Sequence, residues 1–327
     1  MKQKVFVTRK VPQEGLDKIT KKFDVKVWPS ENPPSRNEII EMAVDCQGLV
    51  TLLSDPIDSN LINGLPNLKV IAQYAVGYDN IDVKEATKRG IIVTNTPGVL
   101  TETTADLAWA LIMAVARRIV EADRFVRDRK WNVAWGPETL LGIDIHGATL
   151  GIIGMGRIGQ AVARRAQGFN MNILYFTRSY NESIAALENE IGVKSSNLEI
   201  LLRESDIVSL HVPLTAETHH LIGKKELEMM KADAILVNTS RGQVIDQNAL
   251  YEALSMGNLR GAGLDVYQEE PISKKDPLLA LDNVVLVPHI GSASMNTRAT
   301  MSIICAKNII AALNGETPPN IVNPEVL

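Results

Sequence analysis

Residues 148–159, Ala-Thr-Leu-Gly-Ile-Ile-Gly-Met-Gly-Arg-Ile-Gly, constrain this chain more than any other stretch. The apolar run through Leu150, Ile152 and Ile153 has the β-branched weight of a buried parallel strand, and it leads directly into glycines at 154, 156 and 159 and then a helical pattern over 160–167. Each glycine answers a separate demand of a dinucleotide pyrophosphate site. Gly154 permits the tight turn after the strand, Gly156 lets backbone approach the diphosphate, and Gly159 lets the helix lie close to the sheet, while free N–H groups at the helix start face the anion. Such spacing also serves plain strand-to-helix packing; the strand before it and the helix after it favour the nucleotide site.

A 327-residue chain with 45% hydrophobic residues has material for two domains of ordinary size. Strand and helix patterns alternate from the start. Strands are expected at 4–8, 25–28, 48–54, 69–74 and 90–95, with helices at 12–21, 38–44 and 82–88, which makes a first small α/β domain. The turn around Gly77 offers backbone N–H to a small carboxylate, but on residues alone an ordinary turn with Asp79 or Asn80 capping the next helix is favoured. A single long helix is predicted from Thr101 to about Arg127, resembling a strut between domains. Trp131 and Trp135 follow in a loop.

Six strands are expected from Leu150 onward, the later ones at 171–176, 207–212, 234–238, 261–266 and 284–287, with helices near 198–203, 224–230 and 247–255. They make a complete doubly wound sheet. The helix at 297–313 has no strand left to cover there, so it is expected to return to the first domain. The predicted fold is α/β: two Rossmann-like, doubly wound parallel-sheet domains, with a dinucleotide-binding domain (100–287) inserted into a discontinuous, flavodoxin-like substrate domain (1–99 and 288–327).

After the second strand of the nucleotide half come Thr177, Arg178 and Ser179. An acidic residue there would bind both ribose hydroxyls of NAD; an arginine between two hydroxyls suits a 2′-phosphate instead. NADP(H) is therefore expected over NAD(H), the alternative being a solvated surface arginine.

Ligands of doubly wound sheets bind beyond the carboxyl ends of the strands. Arg241 follows the strand at 234–238, Glu270 the strand at 261–266, and His289 the strand at 284–287. A guanidinium fork for a carboxylate, an acid for a developing alkoxide and an anion that raises the acid's pKa are what hydride transfer to a 2-oxo acid needs. Taken singly, Arg241 could anchor a phosphate, His289 could cap a helix before Ser292, and Glu270 could be a loop charge. Their coincidence at three strand ends favours chemistry. His211 also ends a strand, and Pro213 and Thr215 beside it suggest a loop lining the cofactor.

Thirty-four basic and thirty-eight acidic residues leave a net charge of −4 without like-charged blocks, so neither nucleic acid nor an anionic membrane is an expected partner. No apolar run approaches bilayer thickness. The two cysteines, Cys46 and Cys305, lack metal-ligand spacing and read as idle thiols of a cytoplasmic protein. No metal is expected.

Taken together, AVGYDNID (75–82), TETTADLAWALIMAVAR (101–117), GIIGMGRIGQAVARR (151–165), HVPLT (211–215), NTSRG (238–242), GLDVYQEEP (263–271) and PHIGSAS (288–294) make the chain resemble the D-isomer specific 2-hydroxyacid dehydrogenase family over essentially its whole length. It is most similar to the glyoxylate/hydroxypyruvate reductase branch. The resemblance implies that Arg241 orients the substrate, His289 donates the proton and Glu270 pairs with His289. It implies substrate contacts at Leu53, Val76 and Gly77, and a nicotinamide carboxamide contact at Asp265. It further places Thr104, Arg157, Ile158, His211, Val212, Pro213, Thr218, Thr239, Ser240 and Gly291 about the cofactor, beside Gly154, Gly156, Gly159 and Thr177 to Ser179. A tryptophan matching Trp135 reaches the neighbouring subunit's site in that branch, which implies a homodimer. The expected activity is reduction of glyoxylate and hydroxypyruvate by NADPH, with NAD possible. The rivals are another 2-oxo acid, such as 2-ketogluconate or 3-phosphohydroxypyruvate, or a dinucleotide-sensing protein like the family's transcriptional corepressors.

Overall fold

The computed structural model describes residues 2–327, which divide into two compact units, 2–100 with 292–327 and 101–291. The first carries β1 (Lys4–Val7), β2 (Asp24–Val27), β3 (Gly48–Thr51), β4 (Val70–Gln73) and β5 (Ile92–Thr94), all parallel in the order β2-β1-β3-β4-β5. That is the flavodoxin-like order. Its inner strands β1, β3 and β4 are near-continuous apolar runs because both faces are covered, whereas the edge strand β2 has no buried residue. Along β3, Leu49 enters one core cluster and Val50 the other, as a period of two requires. The helix Met295–Leu313 lies on Gln13–Lys22 and on β4, close enough that a Cβ on Gly15 would fall 2.1 Å from the Ser302 carbonyl oxygen.

The second unit carries β6 (Thr149–Ile153), β7 (Asn172–Phe176), β8 (Lys194–Ser195), β9 (Ile207–Leu210), β10 (Ile235–Asn238), β11 (Gly261–Leu264) and β12 (Val284–Leu286). They form one parallel sheet in the order β12-β11-β10-β9-β6-β7-β8, the dinucleotide-fold order with one strand added. The sheet thus has seven strands rather than six. The two-residue β8 is too short to leave a pattern, and the helix Glu182–Ile191 before it, capped by the Asn181 side chain, also escaped the sequence reading.

The single helix expected over 101–127 is two, Thr101–Ala116 and Ile119–Arg127. The Ala116 carbonyl accepts from the Ile143 N–H, and Arg118 turns left-handed at φ 53° with its guanidinium forked onto Glu121. Neither glycine nor proline marks the break; a distant segment makes it. The first helix packs its buried face, Ala105, Ala108, Leu111, Ile112 and Val115, on β10, β11, β12 and the helix Arg157–Ala166 of its own unit. The helix Val83–Lys88 is capped by Asp82 itself, not by Asp79 or Asn80, and Ser294 rather than His289 caps the last long helix.

Candidate active site

The order of the large sheet reverses between β6 and β9, and the loops after these two strands touch. A Cβ on Gly154 would lie 2.7 Å from the His211 carbonyl carbon, and Gly154 has φ +99°, a conformation that L side chains rarely adopt. A Cβ on Gly159 would fall 2.1 Å from the Gly154 oxygen, whereas one on Gly156 would meet nothing within 4 Å. Two glycines are therefore demanded by the protein's own packing. The third faces open space, at the start of a helix whose first N–H groups suit an anion.

Further along the same edge, Thr239 is buried with a hydroxyl that has no partner among the described residues. A buried orphan of this kind fits a ligand contact. Thr218 braces the loop after β9 by donating to the Pro213 oxygen at 2.6 Å and accepting the Thr215 N–H at 2.8 Å, and Val212, just before Pro213, is partly buried. His211 lies 2.8 Å from the Ser209 hydroxyl through Nε2, and desolvation of its ring pushes its pKa down to about 4. It is neutral at ordinary pH and unsuited to holding phosphate by charge. Arg157 is exposed and Ile158 half-buried at the helix start. After β7, Thr177, Arg178 and Ser179 form an open corner in which Arg178 pairs with Glu217 at 3.3 Å, both side chains more than half exposed. Glu217 carries no motif signal and was not singled out from sequence. These residues fit a nicotinamide dinucleotide.

The catalytic candidates stand at the ends of three adjacent strands, for Asn238 of β10 is in register with Leu264 of β11, and Leu264 with Leu286 of β12. His289 Nδ1 lies 2.7 Å from Glu270 Oε2, and the other Glu270 oxygen accepts the Tyr267 N–H at 3.1 Å. Tyr267 is itself pinned by its hydroxyl, which donates to the Val287 oxygen at 2.9 Å. Arg241 sits in a turn shaped by Asn238, whose amide donates to the Arg241 oxygen and whose Oδ1 accepts from the N–H and hydroxyl of Ser240. The turn lies against the Glu270 loop: a Cβ on Gly242 would overlap the Tyr267 carbonyl, and Gln243 donates to the Gln268 oxygen at 2.9 Å.

His289 adopts φ 51°, a left-handed conformation uncommon for a side-chain-bearing residue. Asp265 holds it there. The Asp265 carbonyl accepts the His289 N–H at 2.9 Å, and its carboxylate accepts from the Ile290 and Gly291 N–H groups at 2.6 and 2.8 Å. Burial pushes the Asp265 pKa up to about 6. Thr104 completes the bracket, donating to the Gly291 oxygen at 3.1 Å. The family resemblance implies only a cofactor contact for Asp265; its link to residues 289–291 leaves no local signature in the sequence.

In the first unit, Leu53 lies half-buried in the loop after β3, and Val76 and Gly77 lie in the loop after β4. Among the described residues the N–H groups of Val76 and Gly77 donate to no protein group. Trp135, in the second unit, is 79% exposed.

The family model described as D-isomer specific 2-hydroxyacid dehydrogenase, NAD binding domain, matches residues 109–291. A glyoxylate reductase of Korarchaeum cryptofilum is 61% identical over 327 residues, spanning 100% of this chain and 98% of its own length. One from Thermococcus litoralis is 54% identical over 330 residues, with the same shares. Among solved structures, an NADPH-dependent glyoxylate/hydroxypyruvate reductase from Sinorhizobium meliloti, in complex with NADP and malonate, is 31% identical with a TM-score of 0.87, covering 100% of this chain and 98% of that one.

Proposed function

This chain belongs to the D-isomer specific 2-hydroxyacid dehydrogenase family and is an NAD(P)-dependent dehydrogenase, and on that premise we propose that it reduces glyoxylate to glycolate, and hydroxypyruvate to D-glycerate, with NADPH as the preferred cofactor. The 2.7 Å contact between His289 and Glu270, at the edge where Arg241 also stands, carries the reading. When bound, the reduced nicotinamide supplies a hydride to the oxo carbon of the substrate. Arg241 draws on the substrate carboxylate and carbonyl through its planar fork. With Nδ1 engaged by Glu270, His289 presents Nε2 to the carbonyl oxygen and delivers the proton as negative charge develops there. The N–H groups of Val76 and Gly77 take the carboxylate from the backbone, with Leu53 as an apolar neighbour of the small substrate.

The cofactor preference is supported by Arg178, flanked by the Thr177 and Ser179 hydroxyls with no acid on the strand end to claim the ribose. Glyoxylate as substrate is supported by the relatives' activity and by full-length identity above half.

A homodimer belongs to the same proposal. No residue of the helix Ile119–Arg127 is buried, and Ile119, Val126, Trp131, Val133, Trp135 and Leu141 all stand more than half exposed within one short stretch. Large apolar groups concentrated in this way suit a second copy of the chain, with Trp135 reaching the partner's substrate. Among the described residues no helix is long and apolar enough to cross a membrane. A cytoplasmic location is supported by two buried, unpaired thiols.

Steady-state rates on a panel of 2-oxo acids with NADPH and NADH test the proposal. Glyoxylate and hydroxypyruvate should lead, and NADPH should outpace NADH. A strong NADH preference would overturn the role of Arg178, and absence of turnover on every acid would overturn the activity.

A further inference from the structure

Two carbonyls of the Val76–Gly77 loop are held from behind by side chains to which the reaction gives no role. The Asn95 amide donates to the Val76 oxygen at 2.8 Å, and the Gln73 amide donates to the Gly77 oxygen at 3.2 Å. A trans peptide is planar, with its C=O and the following N–H pointing in opposite directions. Anchoring the Val76 carbonyl therefore aims the Gly77 N–H away from Asn95, and anchoring the Gly77 carbonyl aims the Tyr78 N–H away from Gln73. Neither N–H donates to a protein group among the described residues. Two donors are kept pointing off the loop with nothing in the unit to receive them.

The anchors are themselves fixed. Gln73 is fully buried at the end of β4, where its oxygen accepts the Thr51 hydroxyl at 2.6 Å and its amide also donates to Asn80 Oδ1 at 2.7 Å. Asn80 in turn donates to the Leu52 and Asp55 oxygens, tying the loop after β3 to the loop after β4. The Asn95 backbone is clamped at both ends, its oxygen by the Asn308 amide at 2.9 Å and its N–H by the Asn320 oxygen at 3.2 Å. With the Gln73 oxygen and amide both engaged at a fully buried position, the network admits few alternative arrangements.

We infer that Asn95 and Gln73 are positioning residues for substrate binding: they orient the Val76–Gly77 and Gly77–Tyr78 peptides so that the Gly77 N–H, with the Tyr78 N–H beside it, is set for a carboxylate before it arrives. The inference rests on the proposed role of Gly77 as a carboxylate donor and adds the Tyr78 N–H to it; the Val76 N–H belongs to the preceding peptide, whose Ala75 carbonyl accepts the Thr96 N–H at 2.8 Å. Backbone donors held in advance cost no reordering when the anion binds.

Asn95→Leu tests it, since that side chain can be lost without loosening the clamped Asn95 backbone; Gln73→Met is the second variant. The readouts are a crystal structure of each variant, glyoxylate kinetics with NADPH, and inhibition by oxalate as an unreactive carboxylate probe. Asn95→Leu should leave the Val76–Gly77 peptide turned or in several orientations and raise the glyoxylate KM and the oxalate inhibition constant about tenfold, the worth of one well-placed hydrogen bond. The kcat and the NADPH KM should stay within about twofold, because the anchors touch neither the proton donor nor the cofactor loops. A peptide that keeps its orientation in both variants overturns the inference and leaves the roles of Arg241 and His289 standing. A turned peptide with unchanged KM and oxalate inhibition overturns the carboxylate role of the loop, and the inference with it. A fall confined to kcat overturns the positioning role.

Discussion

Glu270 holds His289 with one carboxylate oxygen and its own loop with the other: Oε2 lies 2.7 Å from His289 Nδ1, and Oε1 accepts the Tyr267 N–H at 3.1 Å. An amide has one oxygen and no charge, so a Glu270→Gln side chain that still accepts the Tyr267 N–H turns its NH2 towards His289 Nδ1, where it cannot stabilise a protonated imidazole. The expected result is a fall in kcat of about 10²-fold, at the lower end of what a positioned acid contributes, with the NADPH KM unchanged. Steady-state kinetics with glyoxylate check it; a variant with unaltered kcat would remove Glu270 from the mechanism.

The Arg178–Glu217 pair is exposed on both sides and so is weak, which leaves the guanidinium available to a phosphate. Arg178→Ala should raise the NADPH KM by about tenfold or more while leaving the NADH KM unchanged, since only the 2′-phosphate distinguishes the two. Glu217→Gln should lower the NADPH KM slightly. Equal losses with both cofactors would count against the assignment.

Gly156 and Gly159 should separate binding from stability. Gly156→Ala adds a methyl into open space, so the melting temperature should hold while the NADPH Kd rises on the order of tenfold, the effect of losing about 1.4 kcal/mol of close backbone contact. Gly159→Ala would normally stabilise a helix by about 1 kcal/mol. Here the new Cβ falls 2.1 Å from the Gly154 oxygen, and overpacking of about 1–3 kcal/mol should reverse the sign. Calorimetry and fluorescence titration of the two variants distinguish the effects.

His211 should leave a mark on acid stability. Its folded-state pKa is depressed from 6.5 to about 4 by desolvation, so folding favours the neutral ring. The stability this contributes is complete above pH 6.5 and is lost as pH falls through 4. Asp265, raised from 3.8 to about 6, has the opposite slope: its contribution is complete below 3.8 and lost as pH rises through 6. His211→Gln should therefore make the protein relatively more resistant to urea at pH 4.5 than at pH 7, compared with the parent. Parallel urea curves for parent and variant at the two pH values would refute this.

Arg241, Glu270 and His289 were legible as neighbours at one sheet edge because parallel strands buried on both faces read as apolar runs and their carboxyl ends are where the chain changes character. The break at Arg117 and Arg118 was not legible, since the residue that takes the Ala116 carbonyl is Ile143. Nor was β8, two residues long, or the pairing of Arg178 with Glu217 across two loops.

What the sequence determined by itself is the alternation of strand and helix, the glycine turn after β6 and the three chemical groups at one sheet edge, all set by periodicity and by local steric demands over a few residues. Only the tertiary structure decided that Asp265 braces the left-handed His289 and that Asn95 and Gln73 hold the Val76–Gly77 carbonyls. Those contacts join residues that packing brings together from separate loops and strand ends, and hydrogen bonds between them have no period for a sequence to display.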